Sequence, residues 1–329
     1  MSAALRMSLS IDLDNKWAYL RTHGDEAWEQ YPGYLHYVVP RILDFLASRE
    51  LKITFFIVGK DATLEENLEV MGRIGQAGHD IASHSFRHEP WLHLYSESEL
   101  DAELERAESA IEAATGVRVN GFRGPGFSLS TGTLAVLGRR GYAYDATAFP
   151  NALNPLARAY FFSGSKLSAE QKRRRSALFG SFSDAFRPVK PYRWTLPTGT
   201  LLEVPVTTMP LFKVPIHFSY LLYLASFSRA AAWAYVRTAI ALCRITRTEP
   251  SLLLHPLDFM GAEDDTELAF FPAMKMPVAT KLELMADLFD LLLERFEPCT
   301  LGRFAAELSE TSTLREYPPR FSHSGADAS

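Results

Sequence analysis

The first apolar run of the chain ends in two aspartates. Residues 7–14 read MSLSIDLD, so apolar residues alternate with small or polar ones. In a β-strand this alternation places the apolar side chains on one face and Asp12 and Asp14 together on the other. Two carboxylates that lie so close repel each other unless a cation or a shared proton stabilises them. The alternative interpretation is that one aspartate caps the turn at Asn15 and Lys16 while the other is solvated.

Two histidines form a second candidate group, His84 and His88 in the sequence HSFRH. Imidazoles four residues apart meet on one face of a helical turn, where both can bind one metal ion. Pro90 disfavours a long helix, so we expect a single turn or a loop. Together with Asp14, these side chains would leave metal positions open for water and substrate, as a catalytic site requires. The alternative is a pair of histidines on a polar surface.

The elements that must position these residues alternate along the chain. We predict strands at residues 7–14, 53–58, 79–84, 119–123, 142–147, 201–206 and 251–255. We predict helices at residues 35–46, 64–77, 97–115 and 281–296, another that ends at Gly141, and a polar, aromatic loop at 15–33. Strands separated by single helices imply a parallel sheet with right-handed crossovers, either doubly wound or a barrel. In both architectures the chemistry gathers at the carboxyl ends of the strands.

Composition narrows the class of protein. With 329 residues, of which 47% are hydrophobic, the chain can bury a large core. A net charge of -5 argues against nucleic-acid binding as the main function. The two cysteines, Cys243 and Cys299, show no metal-ligand or redox spacing, which favours a reducing compartment. Because the first predicted strand begins close to Met1, without room for a secretion signal, we expect a cytoplasmic protein.

The regular alternation fails between residues 149 and 250. This segment contains a basic run at 172–175 and a largely apolar, aromatic stretch at 212–243. One interpretation of the stretch is an ordinary buried helix pair. The other is an interfacial segment whose aromatic residues settle at a membrane surface while nearby basic residues meet phosphate head groups. The polar stretch at 311–329, rich in proline and serine, is expected to be a disordered tail.

The motifs taken in order resemble one known family. They are SIDLD at residues 10–14, HSFRH at 84–88, RGPG at 123–126 and LLLH at 252–255. The set resembles the NodB-like polysaccharide deacetylase family, carbohydrate esterase family 4, and the resemblance covers residues 7–148 and 250–305. The resemblance implies a distorted (β/α) barrel, here with about seven strands in one domain at residues 1–310, with 149–250 as an insertion.

The resemblance also implies a role for each site residue. Asp14, His84 and His88 would bind one divalent metal ion, with Zn²⁺ the expected ion. Asp12 would be the general base that takes a proton from the attacking water. His255 would be the general acid that protonates the leaving amine. Many family members have adjacent aspartates, whereas this chain has a spaced pair, but strand alternation still directs both side chains to one face.

Several supporting roles follow from the chemistry of the side chains. Arg123 can hold Asp12 ionised through a charge-assisted, bidentate bond, or it can simply cap a strand. Asp145 and Asp258 could each orient His255, and we include Asp145 in the predicted catalytic set. Backbone N–H groups at residues 85–87 or 124–127 could assist the metal in stabilising an oxyanion.

The sequence therefore predicts metal-dependent hydrolysis of the N-acyl amide of an amino sugar, with acetyl as the expected acyl group. A cytoplasmic enzyme would act on a glycan precursor, and the apolar segment at 149–250 favours a lipid-linked one at a membrane face. Deformylation of a lipid-linked formamido sugar is the closest alternative. An alternative of another class is a non-haem iron oxygenase, which also uses two histidines and one carboxylate.

Overall fold

The computed structural model describes residues 4–154, 185–310 and 313–321, together with residues 159, 167, 168, 170 and 172. The strands are β1 Arg6–Leu13, β2 Thr54–Ile57, β3 Asp80–Ser83, β4 Gly121–Phe122, β5 Tyr144–Asp145, β6 Tyr192–Leu196, β7 Gly199–Glu203, β8 Ser251–Leu254, β9 Glu297–Thr300 and β10 Glu316–Tyr317. The α-helices are α1 Lys16–His23, α2 Leu35–Ala47, α3 Gly59–Ala62, α4 Glu65–Gln76, α5 Glu97–Thr115, α6 Thr131–Arg140, α7 Phe218–Phe227, α8 Arg229–Ile245, α9 Val278–Leu293 and α10 Leu301–Ser309.

All ten strands belong to one sheet. Its order is β10-β6-β7-β5-β4-β3-β2-β1-β8, and β9 pairs with β1. The path from β7 to β8 is parallel throughout and contains seven strands, which is the number predicted. The three further strands β6, β9 and β10 were not predicted. A single backbone hydrogen bond, from the N–H of Thr207 to the carbonyl of Ser251, joins the two ends of this path. The fold is therefore a distorted α/β barrel whose ladder is not closed.

Strand β1 shows the predicted alternation. Leu9, Ile11 and Leu13 are fully buried in the core between the sheet and its helices. Asp12 lies on the opposite, inner face, opposite Phe56 of β2 in the register. Both faces of β1 are therefore buried, as expected for a central parallel strand.

The segment after β1 differs from the predicted loop, because residues 16–23 form helix α1. The Asn15 side chain accepts a hydrogen bond of 2.8 Å from the N–H of Lys16 and caps the helix. Asn15 also accepts from the N–H of Tyr34, so it connects two parts of the segment. The cap is therefore neither aspartate, and the alternative in which Asp12 or Asp14 caps a turn is wrong.

The end of the barrel opposite the carboxyl ends of the strands is closed by helix α10. The N–H of Leu301 donates to Oγ1 of Thr54, the first residue of β2. Phe304 then packs among inward-facing residues of the sheet, including Phe56 and Tyr144. Because this end is filled by side chains, the accessible space lies at the other end, where the predicted site residues are.

Several described elements between residues 149 and 250 belong to the barrel or pack on it. Strands β6 and β7 belong to the main sheet, and α7 packs against β8 and α9. The Phe218 ring stacks on Phe289 at 4.8 Å, and the inward face of α8 is buried. The buried helix pair is therefore the better interpretation of the stretch at 212–243. Of the basic run at 172–175, all but Lys172 lies outside the described residues.

The expectation of a disordered tail is wrong for residues 313–321. Strand β10 pairs in parallel with β6, and Tyr317 and Phe321 pack on the cluster around Trp194. The apolar side chains in this polar stretch explain the order, since they cover an otherwise exposed sheet edge. Residues 311–312 and 322–329 lie outside the described part of the chain. No helix built from the described residues is both long enough and apolar enough to cross a membrane.

Candidate active site

The three predicted metal ligands meet at the carboxyl ends of β1 and β3. Asp14 follows β1, while His84 and His88 follow β3. The Oδ1 atom of Asp14 lies 3.0 Å from Nε2 of His88 and 3.5 Å from Nε2 of His84. The three donor atoms lie within 4.8 Å of one another, and all three side chains are buried. The structure therefore brings together the predicted set of ligands.

The backbone fixes the tautomer of His84. Its Nδ1 atom lies 2.7 Å from the carbonyl oxygen of Arg123. Because a carbonyl can only accept, Nδ1 must carry the hydrogen, which leaves the Nε2 lone pair of the neutral ring free. Burial lowers the pKa of His84, although Asp12 and Asp14 act in the opposite direction. His84 is thus held in the form that binds a metal ion through Nε2.

The Asp14 carboxylate has the properties of a metal ligand. Burial alone would raise its pKa, but the attraction of His88 and His84 outweighs this and lowers the pKa of Asp14 below its ordinary value. Its Oδ1 atom is buried and has no hydrogen-bond partner among the described residues. A buried carboxylate oxygen beside two imidazole nitrogens is a donor set that Zn²⁺ accepts, so the residues fit a divalent metal ion.

The loop at residues 84–88 makes no helical turn, and a side chain of helix α5 holds its backbone in place. Oε1 of the buried Glu103 on α5 accepts hydrogen bonds from the N–H groups of Phe86 at 3.0 Å and Arg87 at 2.5 Å. His88 adopts a positive φ of 52°, a conformation that non-glycine residues rarely hold without support. The Glu103 carboxylate supplies that support, and nothing in the sequence distinguished it from the other acidic residues of α5.

Arg123 positions Asp12 as predicted, but through one nitrogen only. Its Nη1 atom donates to Oδ1 of Asp12 at 2.6 Å and to Oγ of Ser10 at 3.0 Å, while Nε donates to the carbonyl of Ala146 at 2.9 Å. The predicted bidentate bond is therefore not formed. The second oxygen of Asp12, Oδ2, lies 3.9 Å from Nε2 of His84. One carboxylate oxygen is thus anchored while the other faces the metal ligands.

His255 is oriented by Asp258 through a serine. The Oγ atom of Ser219 lies 3.1 Å from Nδ1 of His255 and donates to Oδ1 of Asp258 at 2.7 Å. The other oxygen of Asp258 accepts the backbone N–H of His255 at 2.8 Å. The attraction of His255 is the smallest of the causes that lower the pKa of Asp14. Asp258 is therefore the partner of His255.

Asp145, the other candidate partner of His255, has a different hydrogen-bond partner among the described residues. Asp145 lies beside Glu203 on the neighbouring strand, and its Oδ1 atom accepts a hydrogen bond from Oγ1 of Thr147. Glu203 in turn accepts from the indole N–H of Trp194 at 2.8 Å. Burial raises the pKa of Asp145 to about 6, and burial together with Asp145 raises that of Glu203. The two acids form a buried pair in the barrel wall.

Most of the predicted oxyanion donors are already engaged. The N–H groups of Phe86 and Arg87 donate to Glu103, and that of Gly124 donates to Oγ1 of Thr147. The N–H of Phe127 donates to the carbonyl of Gly124. Ser85 and Gly126 are the candidates that remain in the two predicted segments.

Aromatic residues that the sequence motifs did not indicate line the mouth of the site. The His217 ring lies 5.9 Å from His255 and 5.9 Å from Phe149, which stacks on Phe127 at 4.5 Å. Phe271 lies 6.4 Å from His255 on another side. Burial, followed by the effect of His255, lowers the pKa of His217 well below its ordinary value, so its ring is neutral. Of these rings, Phe149 and His217 are buried, while Phe127 and Phe271 are half-buried and offer flat apolar surface.

The described residues define a barrel-like α/β protein with a candidate metal site of two histidines and one carboxylate. Asp12, held by Arg123, lies beside this site. Residues 27–144 match the family model described as polysaccharide deacetylase. The match includes His84, His88 and Arg123. A peptidoglycan deacetylase of Helicobacter pylori is 26% identical over 161 residues, which cover 47% of this chain and 53% of the relative. A chitin deacetylase of Colletotrichum lindemuthianum is 29% identical over 106 residues, covering 31% and 42%.

A solved structure from Mycobacterium smegmatis, described as a polysaccharide deacetylase, has the same fold. It aligns over 98% of both chains with a TM-score of 0.58 at 19% sequence identity. This chain is therefore similar to the polysaccharide deacetylase family over residues 27–144, and it shares its fold with the solved structure. It spans about half the length of the curated relatives that it matches.

Proposed function

We propose that this protein is a metal-dependent hydrolase that cleaves the N-acyl amide of an amino sugar and releases acetate. The observation that carries the proposal is the arrangement of three chemical functions around one space. The metal-binding set is Asp14, His84 and His88, while Asp12 and His255 can act as base and acid beside it. The similarity to named deacetylases supports the same reaction.

The base role belongs to Asp12. A divalent ion held by the ligand set would lower the pKa of water and polarise the acyl oxygen. The free oxygen of Asp12 faces the same space and can take the proton of the attacking water. Because Arg123 holds the other oxygen, the carboxylate stays oriented while its protonation state changes.

The acid role belongs to His255. Breaking the amide C–N bond requires a proton on the leaving nitrogen, because an amine anion is too basic to leave. The Nε2 atom of protonated His255 can donate that proton, while the water oxygen remains on the acyl group as part of the acid product. At the end of the cycle Asp12 releases to solvent the proton that it took from water, and His255 takes up a proton from solvent, so both residues return to their starting protonation states.

A lipid-linked amino sugar is the substrate that we propose. The aromatic mouth around Phe127, Phe149 and His217 offers surfaces for sugar rings. The chain forms a turn at residues 209–214, just before His217 in the sequence. Its tip carries Leu211 and Phe212, whose side chains are 75% and 62% exposed. Large apolar residues exposed next to a site favour a partner that is itself apolar.

The geometry of the turn supports contact with a membrane surface. Leu211 adopts a positive φ of 74°, which large non-glycine residues seldom do. The Nζ atom of Lys213 donates to the carbonyls of Ala185 and Arg187, which holds the exposed Phe186 beside the tip. The two apolar side chains of the turn and Phe186 beside it therefore lie near the basic residues Lys213 and Arg187, a composition suited to an anionic lipid surface. The buried free thiols of the chain support a reducing compartment on that membrane's inner side.

The reaction is tested by measuring acid release from a panel of N-acetyl and N-formyl amino sugars, each free, nucleotide-linked and polyprenyl-phosphate-linked. We expect acetate from the lipid-linked N-acetyl substrate, at a rate well above that for the free sugar. Formate release alone would instead support the deformylase. Oxygen consumption by an iron-loaded protein that releases neither acid would overturn the hydrolase.

Membrane contact is tested by flotation with vesicles of phosphatidylcholine and phosphatidylglycerol. The wild-type protein should float with the vesicles, and a Leu211→Ser/Phe212→Ser variant should bind them at least about tenfold more weakly, because it loses two inserting side chains. Phe227→Ser is the matched control, since Phe227 is 71% exposed but lies at the end of α7, outside the turn. A wild-type protein that stays in the soluble fraction would argue for a soluble substrate.

A further inference from the structure

A serine on helix α7 lies between the general acid and a buried carboxylate. The Oγ atom of Ser219 lies 3.1 Å from Nδ1 of His255 and 2.7 Å from Oδ1 of Asp258. Ser219 is 4% exposed and Asp258 is 2% exposed, so water does not compete for the hydrogen bond between them, whereas His255 is half-buried. The three side chains form a continuous chain of hydrogen bonds in a buried environment.

The direction of these hydrogen bonds follows from the number of hydrogens available. Both oxygens of Asp258 accept, one from Ser219 and the other from the backbone N–H of His255, as an ionised carboxylate does. Because the Ser219 hydroxyl has one hydrogen and gives it to Asp258, its oxygen must accept from Nδ1–H of His255. The imidazole is then held as the Nδ1–H tautomer, with Nε2 free for the reaction.

Rigid packing keeps the three residues in place. Ser219 lies in the first turn of α7, and its neighbour Phe218 stacks on Phe289 of α9. Lys281, also on α9, is fully buried and donates to the carbonyl of Leu257, next to Asp258. Its positive charge offsets the buried carboxylate. The chain of hydrogen bonds is therefore supported by two helices and by the segment that follows β8.

We propose that Ser219 is a positioning residue that transmits the charge of Asp258 to His255, fixing the Nδ1–H tautomer and stabilising the protonated imidazole. This inference rests on the proposed function for its catalytic consequence. Protonated His255 gives its Nε2 proton to the leaving nitrogen as the C–N bond breaks. The neutral ring that remains is the Nδ1–H tautomer, which donates its hydrogen bond to Oγ of Ser219. The segment at 149–250 thereby contributes directly to the chemistry.

Nitrogen-15 NMR measures the tautomer without any turnover. The sample is the zinc-loaded protein with nitrogen-15-labelled histidine, and the His255 signals are those that disappear in the His255→Gln variant. Wild type should show the Nδ1–H form of His255. Ser219→Ala should lose this form, and Ser219→Thr should keep it because it retains the hydroxyl. Ser226→Ala is the matched control, since Ser226 is an exposed serine of the same helix. A Ser219→Ala spectrum like that of wild type would overturn the proposal.

Kinetics then separate a role in proton delivery from a general structural role. On the N-acetyl sugar, Ser219→Ala should lower kcat by about 10–100-fold with KM unchanged. On 4-nitrophenyl acetate, whose leaving group departs without a proton, the same variant should stay close to wild type. Asp258→Asn should show the same selective loss. Equal losses on both substrates would overturn the proposal in favour of a structural role.

The two proposals fail in different ways. If wild type releases no acid from any substrate while the Nδ1–H form depends on Ser219, the proposed function is wrong and the hydrogen-bond chain stands. If wild type releases acetate while Ser219→Ala keeps both the tautomer and the rate, the hydrogen-bond chain is wrong and the proposed function stands.

Discussion

Asp12→Asn should lower kcat by about 10²–10⁴-fold while the protein keeps its full content of bound metal. Asparagine retains the shape of the side chain and can still accept the hydrogen bond from Arg123, but it cannot take a proton from water. Asp12 is not one of the three grouped ligands, so the metal should stay. The measurements are steady-state hydrolysis of the N-acetyl sugar and metal analysis of the same preparation.

A half-buried carboxylate, Asp80, provides the control for this variant. Asp80 lies at the start of β3, at the closed end of the barrel, where Oδ2 accepts from Thr54 and from the N–H of Gly302. Asp80→Asn should lower the melting temperature and leave kcat unchanged, because Asp80 is far from the ligands along the strand. If Asp12→Asn behaves like Asp80→Asn, the base is another residue.

Asp14→Ala and His84→Ala should each bind zinc more than about 100-fold more weakly than wild type, and activity should fall with the bound metal. Each substitution removes one of three donors, and the two that remain cannot enclose an ion. Titration calorimetry of the metal-free proteins measures this directly and needs no substrate.

His93→Ala is the matched control for loss of a histidine near the site. Its ring contacts Ser128 and does not belong to the ligand group. We expect zinc affinity within a factor of a few of wild type. Wild-type affinity in His84→Ala would show that the ion binds elsewhere, and the hydrolase would then need another metal site.

The sequence predicted the centre of the site because its signals are local. Asp12 and Asp14 share a strand face by alternation, and His84 and His88 lie in a short motif, so spacing alone restricts their geometry. The parallel path of the sheet was also predictable, since each of its strands is separated from the next along the chain by apolar periodicity or by glycine.

The residues that support the centre were not predictable from local signals. Ser219 lies in an apolar helix of the segment at 149–250, where a serine has no distinguishing context. Glu103 lies in a helix with many acidic residues, and only packing shows which one is buried. The sequence did not show whether Asp145 or Asp258 orients His255, because the answer depends on the side of the barrel from which α7 approaches. Contacts between distant parts of the chain decided all three cases.

Arg123 serves two site residues with two chemically independent groups. Its carbonyl oxygen holds the ring of His84, whereas its guanidinium holds Asp12. A substitution at this position removes the guanidinium but leaves the carbonyl, which every amino acid possesses. Metal affinity and turnover can therefore be lost separately in evolution, and a descendant of this chain with another residue at position 123 could persist as a metal-binding protein that no longer hydrolyses its substrate.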